Sequence, residues 1–142
     1  MAQFQMFEVF SEDVARGVHQ FHAAGHTIRA YLTNNAPNAA THEGAGDIAG
    51  IAAGNGYAGP MDTQNDISRA GAVTTVSGET VTVTADGGEV GPFRYAVLFN
   101  DDPTGDPLIG YWDYESAVTL QNNESFQIQF PNGLHIFRPP TP

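Results

Sequence analysis

Apolar residues in the second half of the chain form short runs separated by clusters of Asn, Asp, Pro, Gly and Ser. The clearest runs lie at residues 93–99, 108–113 and 125–130. This alternation of apolar runs and turn-forming residues is typical of strands joined by tight turns. Because residues 93–99 are apolar at nearly every position, we expect a central strand that is covered on both faces. Two sheets should then pack face to face.

Alternating patterns predict further strands around this run. In residues 27–33, Ile28, Ala30 and Leu32 lie on one side. Further strands are predicted at 72–76 and 80–84, which flank Ser77-Gly78-Glu79 as a hairpin, and at 117–120 and 134–137. A total of about eight strands indicates a mainly β fold, an antiparallel β-sandwich or jelly roll.

One short helix is predicted near the N-terminus, at residues 11–20. Apolar residues from Phe10 to Phe21 recur at spacings of four, four and three, which places them on one helical face. Ser11 is the expected N-cap, and the acidic residues that follow it suit the positive end of the helix dipole.

The remaining segments have too few large apolar residues to form a core of their own. Residues 34–70 are rich in Ala, Gly and Asn, and they are expected to form a long loop. We therefore expect one domain over residues 1–142, with an N-terminal arm at 1–10 and an extended, proline-rich tail at 138–142.

Charge narrows the classes of partner. The 142 residues carry a formal net charge of −11, and they include five scattered arginines, no lysine and no cysteine. An acidic surface without a basic stripe repels phosphate backbones and anionic lipids, so neither nucleic acid nor a membrane is an expected partner. No export leader and no membrane-spanning run of about 20 apolar residues is recognised.

Two glycine- and aspartate-rich fragments resemble ligand motifs. Residues 54–59 match the letters of the dinucleotide fingerprint, but no helix pattern follows them, so a glycine-rich turn is favoured. Residues 100–106 place oxygen ligands at alternate positions, as in a calcium loop, but a hairpin turn needs the same residue types. The turn is preferred and calcium stays the minority alternative.

Three histidines could also bind a metal ion. His19, His22 and His26 would share one face of a continuous helix, but Gly25 indicates that the helix has ended. Solvated polar residues at a helix end are therefore the preferred interpretation. No cofactor or metal is expected.

The aromatic stretch 111–114 raises the question of a sugar platform or an active site. On a strand, Tyr111 and Asp113 lie on one side, while Trp112 and Tyr114 lie on the other. We therefore expect Trp112 to anchor the core. Without a nucleophile motif or paired carboxylates, no enzymatic activity is predicted.

Several segments together resemble a family of small virion proteins from tailed double-stranded DNA bacteriophages. They are, in order, FSEDVARGVHQF, TIRAYLTNNAP, AAGNGYAG, GPFRYAVLFNDDPTGDPLIGYWDY and VTLQNNESFQIQF, and they cover most of the chain. The chain departs from the family pattern at residues 57–62. The resemblance implies a virion component with a β-sandwich core, of the kind that decorates the capsid exterior after synthesis in the bacterial host cytoplasm.

This resemblance implies the major capsid protein and copies of the chain itself, as a homotrimer, as partners. We expect the arm, the loop and the tail to make the contacts, and truncation of residues 1–6 to weaken attachment without unfolding the sandwich. The alternatives are a neck, tail or fibre-associated virion protein and a carbohydrate-binding module that uses Trp112. The expected contact residues are Phe4, Phe7, Asn34, Asn35, Asn55, Tyr57, Arg138, Pro139 and Pro140.

Overall fold

The computed structural model describes residues 3–130 and 133–137, in which antiparallel strands dominate. This described part contains a single α-helix and a 3₁₀ turn at Ala45–Asp47. No helix in the described part is long and apolar enough to cross a membrane. The elements are β1 (Gln3–Met6), α1 (Glu8–Ala15), β2 (Ile28–Thr33), β3 (Met61–Asp62), β4 (Asp66–Ala70), β5 (Val73–Ser77), β6 (Val81–Thr84), β7 (Val90–Asn100), β8 (Leu108–Leu120), β9 (Ser125–Ile128) and β10 (Leu134–Phe137).

A five-stranded sheet with the order β1-β8-β7-β2-β3 forms the main layer. Its central strand β7 is buried on both faces, as its apolar run predicts. Ala96 and Leu98 belong to one core cluster, whereas Val97 and Phe99 belong to a second cluster on the opposite face. Because side chains alternate along a strand, one apolar run supplies both cores.

The two core clusters are covered by different parts of the chain. On one face, Val81, Val83 and Ile128 from the β6–β9 pair complete the larger cluster. Residues 78–80 connect β6 of this pair to β5, which belongs to a three-stranded sheet with the order β10-β5-β4. On the other face, Ile48 from the long loop closes the smaller cluster. The predicted β-sandwich is confirmed, and part of the loop serves as an additional cover.

The helix begins earlier than predicted, at Glu8, and ends at Ala15. The backbone amide of Phe7 donates to the Ile109 carbonyl at 3.1 Å, which fixes the chain just before the first helical turn. Ser11 therefore lies inside the helix and is not its N-cap. The predicted extension to residue 20 is wrong because Gly17 turns the chain with a φ of +75°.

Strand pairing also differs from the sequence prediction. Residues 72–76 and 80–84 do not form a hairpin, because β5 pairs with β4 and β10 while β6 pairs with β9. The hairpin that forms instead joins β4 to β5 through Gly71-Ala72, and Gly71 has the positive φ of +58° that such a two-residue turn needs. Residues 117–120 are not a separate strand but the end of β8.

The N-terminal arm and the long loop are more ordered than expected. Residues 3–6 form β1, which pairs with β8, and Phe7 is buried, so residues 1–10 do not form a separate arm over their described part. The predicted loop at 34–70 contains β3 and β4. β3 pairs with the distant strand β2 and β4 pairs with the neighbouring β5, and this pairing supplies the stabilisation that the local composition lacks.

Candidate contact surface

The long loop is fastened along the edge of β2. Strand β3 pairs only with Arg29 and Ala30, so the rest of this edge needs other partners. The Tyr57 hydroxyl accepts a hydrogen bond from the Leu32 amide at 2.9 Å, and the Ile51 amide donates to the Leu32 carbonyl at the same distance. The loop therefore completes the sheet edge and shields it from further strand pairing.

The three predicted aromatic contact residues all pack against other parts of the fold. Phe7 is 1% exposed and Tyr57 2% exposed, so both belong to the core and neither can reach a partner. Burial raises the pKa of the Tyr57 hydroxyl. Phe4 is half-buried, and its ring lies 4.8 Å from that of Trp112, centroid to centroid. The expectation of Phe7 as a contact residue is therefore wrong, and Phe4 is accessible only in part.

The three asparagines, in contrast, lie at the surface. Asn34 and Asn35 directly follow β2, and the Asn35 side chain donates to the Ala49 carbonyl at 2.9 Å. Asn55 is exposed, and its amide donates to the Glu89 carbonyl at 2.9 Å. Asn35 therefore closes a turn within the loop, and Asn55 fastens the loop to the residue before β7. The predicted contact residues Arg138, Pro139 and Pro140 lie outside the described residues.

The sequence analysis missed β4, a fully exposed strand, and the β4–β5 hairpin to which it belongs. All five residues of β4 are exposed, including Ile67 at 45%, and β4 is the outer strand of its sheet. In a two-residue hairpin the closing pair, here Ala70 and Val73, is hydrogen-bonded, so the backbone groups of Ile67 and Arg69 point away from β5. The Gly71-Ala72 pair between two alternating segments was the signal that could have revealed it.

A polar cleft of about 500 Å³ lies beside the start of β4. Its walls include the carboxylates of Asp62, Asp66 and Glu79 together with His26, so the cleft is acidic. The Asp66 carboxylate accepts a hydrogen bond from the Ala23 amide at 3.2 Å. Among the described residues, no group of three or more His, Asp or Glu side chains has the arrangement of a metal site.

The outer face of β7 and β8 carries a polar and aromatic cluster. Arg94 forms two hydrogen bonds with Asp113, at 2.8 and 3.1 Å, and its guanidinium lies 5.2 Å from the centre of the Tyr95 ring. This hydrogen bonding lowers the pKa of the Asp113 carboxyl. The Tyr111 hydroxyl donates to Gln5 on β1 at 3.1 Å. These contacts fasten the sheet, and they show no arrangement of groups poised for catalysis.

Trp112 lies on the opposite face and is only 6% exposed. It packs with Tyr114 in the larger core cluster, whereas Tyr111 contacts the smaller one. The predicted division of this aromatic stretch between two faces is confirmed. The Trp112 ring is not accessible, so it cannot stack against a sugar as the carbohydrate-binding alternative requires.

The two fragments that resemble ligand motifs form turns. Gly54 and Tyr57 exchange backbone hydrogen bonds of 2.8 and 3.0 Å, and no helix follows them. In the other turn, between β7 and β8, Asp101 forms an ion pair with Arg29 at 2.8 Å and Asp102 accepts from the Thr27 amide. These carboxylates therefore already have partners within the protein.

The histidines do not share a helical face. His22 is exposed, whereas His19 and His26 lie against Asn100 at the end of β7. The interpretation of all three as solvated polar residues is therefore wrong for His19, whose Nε2 atom is buried without a hydrogen-bond partner.

Comparison of the chain with family models, curated proteins and solved structures gave no significant match.

Proposed function

We propose that the protein is a bacteriophage virion structural protein, a decoration or cement protein that binds the outer surface of the major capsid protein lattice. The observation that carries this proposal is the exposed outer edge of β4 on an acidic β-sandwich. The resemblance to small virion proteins supports the same function.

Net charge favours the capsid exterior. With a formal net charge of −11, each copy inside a filled head would be repelled by the packaged DNA. On the outside the same charge keeps the unbound protein soluble and prevents its binding to nucleic acid. Neither DNA nor a membrane is therefore a partner in this proposal.

The edge of β4 is suited to strand addition. An extended segment of the capsid protein can pair with the backbone of Ile67 and Arg69 and extend the sheet to a fourth strand. The Ile67 amide donates to the neighbouring Asp66 carboxylate at 2.8 Å, so the added strand would take the place of this local bond. The Ile67 side chain, 45% exposed, gives the added strand an apolar group to cover. The loop cannot offer such an edge, because it already blocks the end of β2 with Tyr57 and Ile51.

Self-association strengthens attachment in this proposal. One strand edge buries little area, so a single copy would bind weakly. A homotrimer would present three β4 edges to neighbouring capsid subunits, and the second and third contacts would form within one complex.

The experiment measures the binding of purified protein to capsids that lack it, with Ile67→Pro as the central variant. Proline removes the edge amide together with its local bond to Asp66, and it places a ring where an added strand would lie, but it leaves the ladder to β5 intact. We expect binding to weaken about tenfold, because one or two hydrogen bonds of about 1 kcal/mol each are lost.

Two substitutions control for the loss of an apolar side chain. Ile67→Thr keeps the strand edge and should weaken binding less than Ile67→Pro. Met6→Thr changes the other large exposed hydrophobic residue, at 48% exposure on β1, and should leave binding unchanged. Normal binding by a folded Ile67→Pro protein would rule out the β4 edge as the contact.

A further inference from the structure

The segment between α1 and β2, residues 17–27, is tied to the main sheet by three side chains. The Asn100 amide nitrogen lies 3.0 Å from Nδ1 of His19 and 2.9 Å from Nδ1 of His26. Asn100 is the last residue of β7 and is completely buried. Two imidazoles from one connecting segment therefore meet a single amide at the end of the central strand.

Hydrogen-bond chemistry fixes the protonation of both rings. The Asp102 backbone amide can only donate, and it lies 3.2 Å from Oδ1 of Asn100, so that atom is the oxygen and the NH₂ group faces the histidines. An NH₂ group also only donates, so both Nδ1 atoms must accept. The Gln20 amide donates to the same Nδ1 of His26 at 3.2 Å, which independently requires that this nitrogen carry no proton. Both histidines are therefore neutral, with their proton on Nε2.

The surroundings of His19 also disfavour a charged ring. The His19 ring packs between Phe10 and Phe21, with centroid distances of 5.2 and 5.3 Å. Its Nε2 atom is buried and has no hydrogen-bond partner. Burial, with a smaller contribution from His26, lowers the pKa of His19 to about 4.

We propose that His19, His26 and Asn100 form an acid-sensitive latch that holds residues 17–27 against the end of β7 and releases them when the imidazoles are protonated. A proton on Nδ1 of either ring places one donor against another and breaks the bond to Asn100. Both Asn100 hydrogens lose their acceptors together when both rings are charged. The trigger is local, because α1 and β7 keep their own backbone hydrogen bonds.

Several charged groups face the latch. His26 lines the acidic cleft with Asp62, Asp66 and Glu79 while it is still bound to Asn100, so these carboxylates lie near the ring before any release. Closer to the turn after β7, Asp102 accepts from the Thr27 amide and Asp101 is paired with Arg29. For His19 the neighbouring charge is His26 itself, which repels a second proton.

The release would also loosen the start of β4. Asn65 donates its side-chain amide to the carbonyls of Phe21 at 2.9 Å and of His26 at 3.1 Å, and Asp66 accepts from the Ala23 amide. Residues 17–27 thus brace the start of the exposed β4–β5 hairpin. This latch depends on the hydrogen bonds alone and holds whether or not the proposed function is correct.

The test is amide hydrogen exchange of the full chain at pH 7.5 and pH 4.5, corrected for intrinsic exchange rates. In the natural protein we expect the protection factors of residues 17–27 to fall by about ten- to 100-fold at pH 4.5. The smaller decrease applies if partial exposure of the rings to solvent weakens the effect. Amides of β7 and β8 should stay protected at both pH values. Equal protection of residues 17–27 at both pH values, or loss across the whole sheet, would overturn the proposal.

The variant that removes the trigger is His19→Phe with His26→Gln. Phenylalanine keeps the aromatic stack, and glutamine keeps an acceptor for Asn100 without a titratable group. This protein should retain its protection at pH 4.5, and acid opening equal to that of the natural chain would contradict the latch.

A second measurement remains decisive if the double variant does not fold. Nitrogen chemical shifts of the natural protein at pH 7.5 should show both Nδ1 atoms unprotonated. A protonated Nδ1 on His26 would refute the assignment directly.

Discussion

The Tyr57 hydroxyl accepts a hydrogen bond from the backbone amide of Leu32 at 2.9 Å, across 25 positions of the chain. Both residues are buried, so no solvent can replace this bond. Through this contact the long loop takes the position of a strand along β2. The loop is therefore part of the scaffold, and the exposed strand edge lies elsewhere, on β4.

Tyr57→Phe should lower the free energy of unfolding by about 1–3 kcal/mol, because it leaves the buried Leu32 amide without an acceptor. Urea unfolding followed by the fluorescence of Trp112 measures this change. Tyr111→Phe is the matched control, since its hydroxyl bonds to exposed Gln5, and it should cost less than about 0.5 kcal/mol. Equal effects of the two substitutions would show that Tyr57 does not pin the loop.

Phe4→Ala should destabilise the fold by about 1–3 kcal/mol. The Phe4 ring covers Trp112 and lies directly over Gly110, where a Cβ atom would clash with it. Removal of residues 1–6 should cost more, since it also deletes β1 from the main sheet. Thermal unfolding of both variants would test this, and an unchanged midpoint for the truncated chain would restore the idea of a separate N-terminal arm.

Gly71→Ala should destabilise the β4–β5 hairpin by about 1 kcal/mol, because φ at this position is +58° and a side chain there is strained. The measurement is amide exchange in β4 and β5. Gly46→Ala is the control, because a Cβ atom added at either glycine would meet no other atom within 4 Å, and Gly46 lacks a positive φ. Equal protection in the two variants would exclude backbone strain as the cause.

Asp113 should titrate below its ordinary pKa of 3.8, because Arg94 donates two hydrogen bonds to the charged carboxylate. A lowered pKa means that the stabilisation is present above pH 3.8 and is lost as the pH falls through the folded-state value. Carboxyl-detected NMR of the natural protein and of Arg94→Gln measures it. The substitution should raise the pKa of Asp113, and an unchanged value would show that the pair does not form in solution.

Local patterns predicted most strands after residue 72 and β2, but they missed β1, β3 and β4 and predicted strand partners poorly. Residues 93–99 revealed a central strand because burial on both faces leaves a continuous apolar run. The error at 72–84 arose because β6 pairs with β9, more than 40 positions away, and no local signal encodes such a pairing. The predicted start of the helix was wrong because a hydrogen bond from Phe7 to Ile109 sets this start, and no capping side chain does so.

The candidate sites were harder to predict for the same reason. Tyr57 looked like a loop aromatic, and only the path of the loop along Leu32 explains its burial. His19 and His26 were considered as metal ligands and interpreted as solvated residues, because their common partner Asn100 lies at least 74 positions further along the chain. A hydrogen-bond network that joins distant segments leaves no spacing pattern in the sequence.

The central claim is that this chain decorates the capsid exterior, and its copy number in purified virions tests that claim most directly. A quantitative gel gives the ratio of this 15.1 kDa chain to the major capsid protein. We expect a ratio of the same order as the number of capsid subunits, with the protein accessible to antibody on intact heads. A ratio of a few copies per particle would indicate a neck or tail protein, and absence from virions would contradict the proposed function altogether.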